Sequence, residues 1–176
     1  LIDEKEFFER MAGKIAQSRQ MNDNMSFTKM SKNVLNPPYK DQYLNVYQKG
    51  ALIAMCVDIL IRENSNGQKG ILNLMQELSK EYGTAKAFKD EELFDKITAL
   101  TYPAVGEFLK THVAGETPIP YEQYFAKMGV TEATILNSSD LIQFGYDQKF
   151  KKSEKSNIID IRYENLNHIK DLNSLE

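Results

Sequence analysis

The chain has a single cysteine, Cys56, so no disulfide can close within it, and cysteine usage leaves reducing and oxidising compartments equally open. It has no excess of positive charge. Its 22 Lys and Arg stand against 25 Asp and Glu, and the resulting net charge of -3 gives no field that would gather nucleic acid. The small basic cluster Lys149, Lys151, Lys152 and Lys155 is offset by Asp147 and Glu154 and reads as a solvated loop. No apolar run is long enough to cross a bilayer; the longest, 50–61, carries Asp58 and reads as a buried helix. The opening LIDEKEFFERM lacks the basic start and small-residue cleavage site of a signal peptide. There is no internal repeat, no phosphate-cradling glycine loop, and no nucleophile elbow around Ser26, Ser31 or Ser79.

What is present is enough for a packed core. The 176 residues are 41% apolar and include 9 Phe and 9 Tyr, which suits one domain, or one domain with a tail. Phe7, Phe8, Met11 and Ile15 recur at helical spacing behind Asp3, with Glu6 completing a capping-box pattern, and predict a helix over about 3–20. The stretch 21–40 is rich in Asn, Ser and Lys, ends in Asn36-Pro37-Pro38, and is expected to be a long irregular connection. A second helix over about 40–63 starts polar and becomes apolar around most of its circumference, which places it in the middle of the fold.

Asn64-Ser65-Asn66-Gly67 supplies the stop, and Ile71, Leu72, Leu74, Met75, Leu78 and Tyr82 predict a third helix before Gly83. Shorter helices are expected near 90–100, 104–113 and 121–128, the last closed by Gly129, followed by β-favouring pieces at 141–146 and 158–163. The fold class is therefore mainly α: a multi-helix domain over 1–130 with a short β-containing or irregular tail over 131–176.

The candidate site lies on the central helix. Tyr47, Gly50 or Ala51, Ala54, Asp58 and Ile61 share one face, and the small residues after the tyrosine leave room for another group. On pattern alone Tyr47 is either a core tyrosine with a satisfied hydroxyl or a functional phenol. Gly50, one turn on, is expected to let substrate or another helix come close, and Lys49, on a different side, to be structural or solvent-facing. Cys56, inside the apolar helix, reads as an inert core residue, and Glu91-Glu92 as first-turn helix residues. The methionines are scattered over core and loop positions and form no cofactor box.

The string Tyr47-Gln48-Lys49-Gly50-Ala51-Leu52-Ile53-Ala54, running on through Val57-Asp58-Ile59-Leu60 to Arg62, resembles the Tyr-x-Lys-Gly-Ala segment that opens a long helix in gluzincin aminopeptidases. The match is to the glycyl aminopeptidase family. Later pieces are similar in the same order: Gly70-Ile71-Leu72 through Tyr82-Gly83, Phe108-Leu109 through Gly115, and Ile119-Pro120-Tyr121 to Gly129-Val130, with Met25-Ser26-Phe27 ahead of the tyrosine. The resemblance covers about residues 1–130. It implies the C-terminal helical part of a thermolysin-like catalytic region, within a zinc-dependent aminopeptidase that removes N-terminal glycine or other small residues from peptides. It implies that Tyr47 donates its phenolic hydrogen bond to the oxyanion formed when zinc-activated water attacks the scissile carbonyl, with Gly50 beside the substrate. A periplasmic or cell-envelope setting and a following PDZ module are further implications. Phe144-Gly145-Tyr146 resembles the carboxylate-binding loop of such a module, although the residues left suffice only for its first strands or for an unrelated tail.

The departure from the family is the metal. Zinc chemistry of this kind needs His-Glu-x-x-His on one helix and a downstream glutamate ligand. The two histidines here, His112 and His168, are far apart and lack the required neighbours. In the family both pieces precede the helix that matches 3–20. The expectation is a fragment that holds no zinc ligand and is inactive alone, its partners being a peptide substrate and the N-terminal catalytic part of the same protein. Nucleic acid and a membrane-spanning segment are not expected. The rival from another class is a non-catalytic helical binding or scaffold module.

Overall fold

The computed structural model describes residues 2–133, 141–144, 148–151 and 160–163. The chain is mainly helical, as its periodicity predicts, and forms two compact units. One is Gly13–Ile119; the other joins Leu1–Ala12 to the segment from Pro120 onward. Helix α1, Glu4–Arg19, gives residues to both, and its N-terminus is capped as expected, Asp3 Oδ1 accepting the Glu6 N–H at 2.8 Å.

In the larger unit the chain passes through α2 (Phe27–Lys32), a 3-10 turn (Tyr39–Gln42), α3 (Asn45–Asn64), α4 (Ile71–Glu81), α5 (Asp90–Leu100) and α6 (Pro103–Phe108), which runs on as a π-helical turn over Leu109–Ala114. The second helix is central, as predicted: Leu52, Cys56, Val57, Ile59, Leu60 and Ile61 of α3 are buried, each apolar side chain of this size contributing about 1.5–3 kcal/mol when fully removed from water. Helices α4 and α6 pack against it. It ends where the turn residues require, with Asn66 at φ 53° and Gly67 at φ 80°, and the Gly67 N–H returning to the Arg62 carbonyl at 2.8 Å.

Helix α4 is started by its neighbour. Gly70 at its N-cap has no side chain to offer, and Asp58 of α3 accepts the Ile71 N–H at 2.7 Å, while Asn73 Oδ1 accepts the Gly70 N–H at 2.9 Å. Arg62 Nε holds the other Asp58 oxygen at 2.7 Å. A Cβ on Gly70 would lie 2.6 Å from Asp58 Oδ1 and 2.8 Å from an Arg62 nitrogen, so any larger residue there must displace the Asp58–Arg62 pair, the backbone itself being extended. Helices α5 and α6 cross with similar closeness, where a Cβ on Gly106 would lie 2.3 Å from Thr98 Oγ1. The connection after α4 is clamped by the Glu81 carboxylate, which takes Lys86 at 2.8 Å and Lys96 on its other oxygen; Lys86 also sits over the Tyr82 ring, 5.1 Å from its centroid.

In the other unit Phe8 meets Phe7 and Phe125 edge-on, at centroid separations of 5.2 and 5.9 Å. Helix α7, Tyr121–Lys127, buries Tyr121, Tyr124 and Phe125 and stops at Gly129, φ 73°. Strand β1 (Val130–Ala133) pairs antiparallel with β4 (Asp160–Tyr163), Val130 opposite Tyr163, and β2 (Leu141–Phe144) with β3 (Gln148–Lys151), Leu141 opposite Lys151.

Three expectations are corrected. The stretch 21–40 is not wholly irregular, because Ser26 caps the six-residue α2, its Oγ accepting the Lys29 N–H at 3.4 Å. The central helix begins at Asn45, not near 40, because the chain leaves Pro38 in a 3-10 turn. Lys149 and Lys151 lie on strand β3, not in a loop, since the backbone of Gln148–Lys151 pairs with β2. Lys152 and Lys155, the Gly145-Tyr146 pair of the PDZ-like string, and His168 lie outside the described residues.

Replacing Gly70 by alanine should push Asp58 off the α4 N-terminus and lower stability by about 1–2 kcal/mol, the worth of a helix cap; denaturant unfolding measures it, and an unchanged midpoint would contradict the contact. The two lysines hold Glu81 down at about 2 from an ordinary 4.5, chiefly through their hydrogen bonds. A carboxyl depressed on folding adds stability above its unfolded pKa, and that contribution is lost as pH falls through the folded one. Protection of the Gly83 amide, which donates to the Lys86 carbonyl at 2.9 Å, should therefore weaken between pH 4.5 and about 2 after correction for intrinsic exchange, and do so less in Glu81→Gln.

Candidate functional site

The first turns of α3 are held in place from the inside. Lys49 is 1% exposed, and its ammonium donates to Asp23 Oδ1 at 2.8 Å and to the Asp23 carbonyl at 3.1 Å. Of the two roles expected for Lys49, the structural one is therefore found, and the solvent-facing one is not. The same connection is tied to the 3-10 turn by the Asn22 N–H donating to Gln42 Oε1 at 2.8 Å, and Lys14 of α1 reaches Gln48 Oε1 at 3.1 Å. Phe27, the first residue of α2, lies over Gly50, where a Cβ would stand 3.4 Å from the Phe27 Cζ. Gly50 is half-buried, and its neighbour in this chain is another helix.

Residues 47 and 49 are about 200° apart around a helix, so burial of Lys49 turns Tyr47 outward. Tyr47 is 58% exposed, which excludes the core-tyrosine reading. Its hydroxyl lies 3.1 Å from that of Tyr43, and the two rings meet edge-on with centroids 5.7 Å apart and planes at 71°. Leu44 beside them is also exposed. The arrangement is a pair of phenols on the outer side of a braced helix start, chemically able to donate hydrogen bonds to an approaching oxygen.

The other reactive residues are engaged in structure. Burial pushes the Cys56 thiol far above its ordinary range, so at neutral pH it is not a thiolate nucleophile. His112, on the π-helical turn, tilts against the Phe108 ring and has Nδ1 3.0 Å from the Thr117 carbonyl. A carbonyl only accepts, so Nδ1 carries the hydrogen. Among the described residues no three His, Cys, Asp or Glu side chains gather into a group that could hold a metal ion.

Sequence reasoning missed the Lys49–Asp23 pair and the partnership of Tyr43 with Tyr47. The first carries no local signal, since the two residues are 26 apart. The second was signalled by i,i+4 spacing. No helix is long and apolar enough to cross a membrane among the described residues. No family model, curated protein or solved structure matches the chain.

Removing Asp23 should harm the fold more than removing Lys49. Asp23→Ala leaves a buried ammonium without its counter-charge, at a cost of about 3 kcal/mol, whereas Lys49→Met keeps the aliphatic volume and leaves a carboxylate that water can reach, its side chain being 23% exposed. Urea denaturation of both variants reads the difference, and equal losses would count against a buried charge at Lys49.

Proposed function

We propose that the chain is the helical C-terminal part of the catalytic region of a zinc-dependent aminopeptidase, acting on peptides with glycine or another small residue at the N-terminus. The observation that carries the reading is the outward, accessible phenol of Tyr47 at the rigid start of the central helix. In the string that resembles the glycyl aminopeptidase family, this is the residue expected to face substrate. A hydrogen-bond donor fixed before the reaction stabilises a developing oxyanion without reorganising as charge appears, and loss of one such donor lowers turnover by about 100- to 1000-fold.

The division of roles follows from the residues. Tyr47 donates to the carbonyl oxygen as it becomes an oxyanion. The zinc ligands and the glutamate base would come from polypeptide N-terminal to this chain, and zinc held there would polarise the carbonyl and activate water. Gly50, with Phe27 over it, lines the wall of the site from beneath. The non-catalytic helical module remains the rival, favoured by the exposed apolar side chains Leu72 and Met75, three residues apart on α4.

The test uses the longer protein. Tyr47→Phe should lower kcat on glycyl peptides by about 100- to 1000-fold with KM and zinc content little changed. Undiminished kcat would remove Tyr47 from the mechanism. Zinc-dependent hydrolysis by the 176-residue chain alone would overturn the placement of the metal outside it.

A further inference from the structure

We infer that Tyr43 is the positioning residue of the Tyr47 phenol, donating its hydroxyl hydrogen to Tyr47 Oη and so directing the Tyr47 hydrogen outward to a substrate oxygen. The inference rests on the reading of Tyr47 as an oxyanion donor and adds a residue that the resemblance does not supply.

The geometry is specific. The hydroxyls are 3.1 Å apart, a hydrogen-bond distance that holds only one hydrogen between them. If Tyr47 were the donor of this bond, its only hydrogen would be consumed and it could serve no third group. If Tyr43 is the donor, Tyr47 accepts on oxygen and keeps its hydrogen free. An oxyanion is a far better acceptor than a neutral phenol, so its formation selects the order Tyr43 to Tyr47 to substrate oxygen. Accepting a hydrogen bond also polarises the Tyr47 O–H and strengthens it as a donor, the cooperativity expected of a chain of hydrogen bonds.

The surroundings hold the pair together. Tyr43 already has helical backbone angles, φ -52° and ψ -45°, and its carbonyl takes the Val46 N–H at 3.1 Å, so both tyrosines stand on one braced turn. The edge-on ring contact limits rotation of both side chains. The bond to Tyr47 is also the main reason that the Tyr43 hydroxyl keeps its hydrogen to higher pH than an ordinary phenol. Lys49, buried on the opposite side of α3, is bonded to Asp23.

Two measurements test this. In the 176-residue chain, Tyr47→Phe should let the 13Cζ titration of Tyr43 fall toward the ordinary phenol value of 10.0; an unmoved midpoint overturns the proposal. In the longer enzyme, Tyr43→Phe keeps the ring and removes the hydroxyl. It should lower kcat by about 2- to 10-fold, the worth of one neutral hydrogen bond, with KM and melting temperature unchanged. In a Tyr47→Phe background the same change should cost nothing further, because there is no phenol left to direct. An equal loss in both backgrounds, or no loss from Tyr43→Phe where Tyr47→Phe is damaging, overturns the positioning role and leaves Tyr47 as donor. If Tyr47→Phe itself keeps full turnover, the donor reading fails and the positioning role with it.

Discussion

Burying a lysine to 1% exposure is costly unless its ammonium is paired, and the pairing of Lys49 ties the connection after α1 to α3. The anion is Asp23, in the connection that leaves α1 and precedes α2. Once Asp23 is held, Ser26 is in place to cap α2, Phe27 to lie over Gly50, and Asn22 to tie the 3-10 turn. An apolar pair of equal volume would serve stability as well or better. What the ion pair adds is a fixed contact between the connection and α3 at Asp23.

Asp58 does the same for the chain that follows. Helix α3 is otherwise buried by aliphatic side chains, whose packing tolerates alternatives so long as volume is kept. Two of its charged residues, Lys49 and Asp58, are instead held by specific partners. Lys49 fixes what comes before the helix, and Asp58, by capping α4 across a glycine with no room for a methyl group, fixes what comes after. The polar residues of an apolar helix thus carry the topology of its neighbours.

These two residues also show where sequence reading stops. Long periodic segments were legible: Asp90-Glu91-Glu92 announces a helix start, and α5 runs from Asp90 to Leu100 as read. A helix of six residues, such as α2, gives less than two turns of pattern and hides among Asn, Ser and Lys. The π-helical turn, where the Gly115 N–H reaches back five residues to the Lys110 carbonyl, has no compositional mark, so periodicity predicts an ordinary helix there. The burial of Lys49 was out of reach because periodicity sees one charge among apolar neighbours and knows nothing of a partner 26 residues away.

The same gap explains why the site was only half legible. Pattern put Tyr47, Gly50 and Asp58 on one face, and a face suggests one environment. In the structure that face is covered in stages: Asp58 meets the start of α4, Gly50 meets Phe27, and Tyr47, more than half exposed, meets Tyr43. On this side the two phenols are exposed, and Gly50, half-buried, lies beside the Phe27 ring. Accessibility along a helix face is set by where its neighbours end, which is why Tyr43, just before α3, and Tyr47, in its first turn, are exposed on this side.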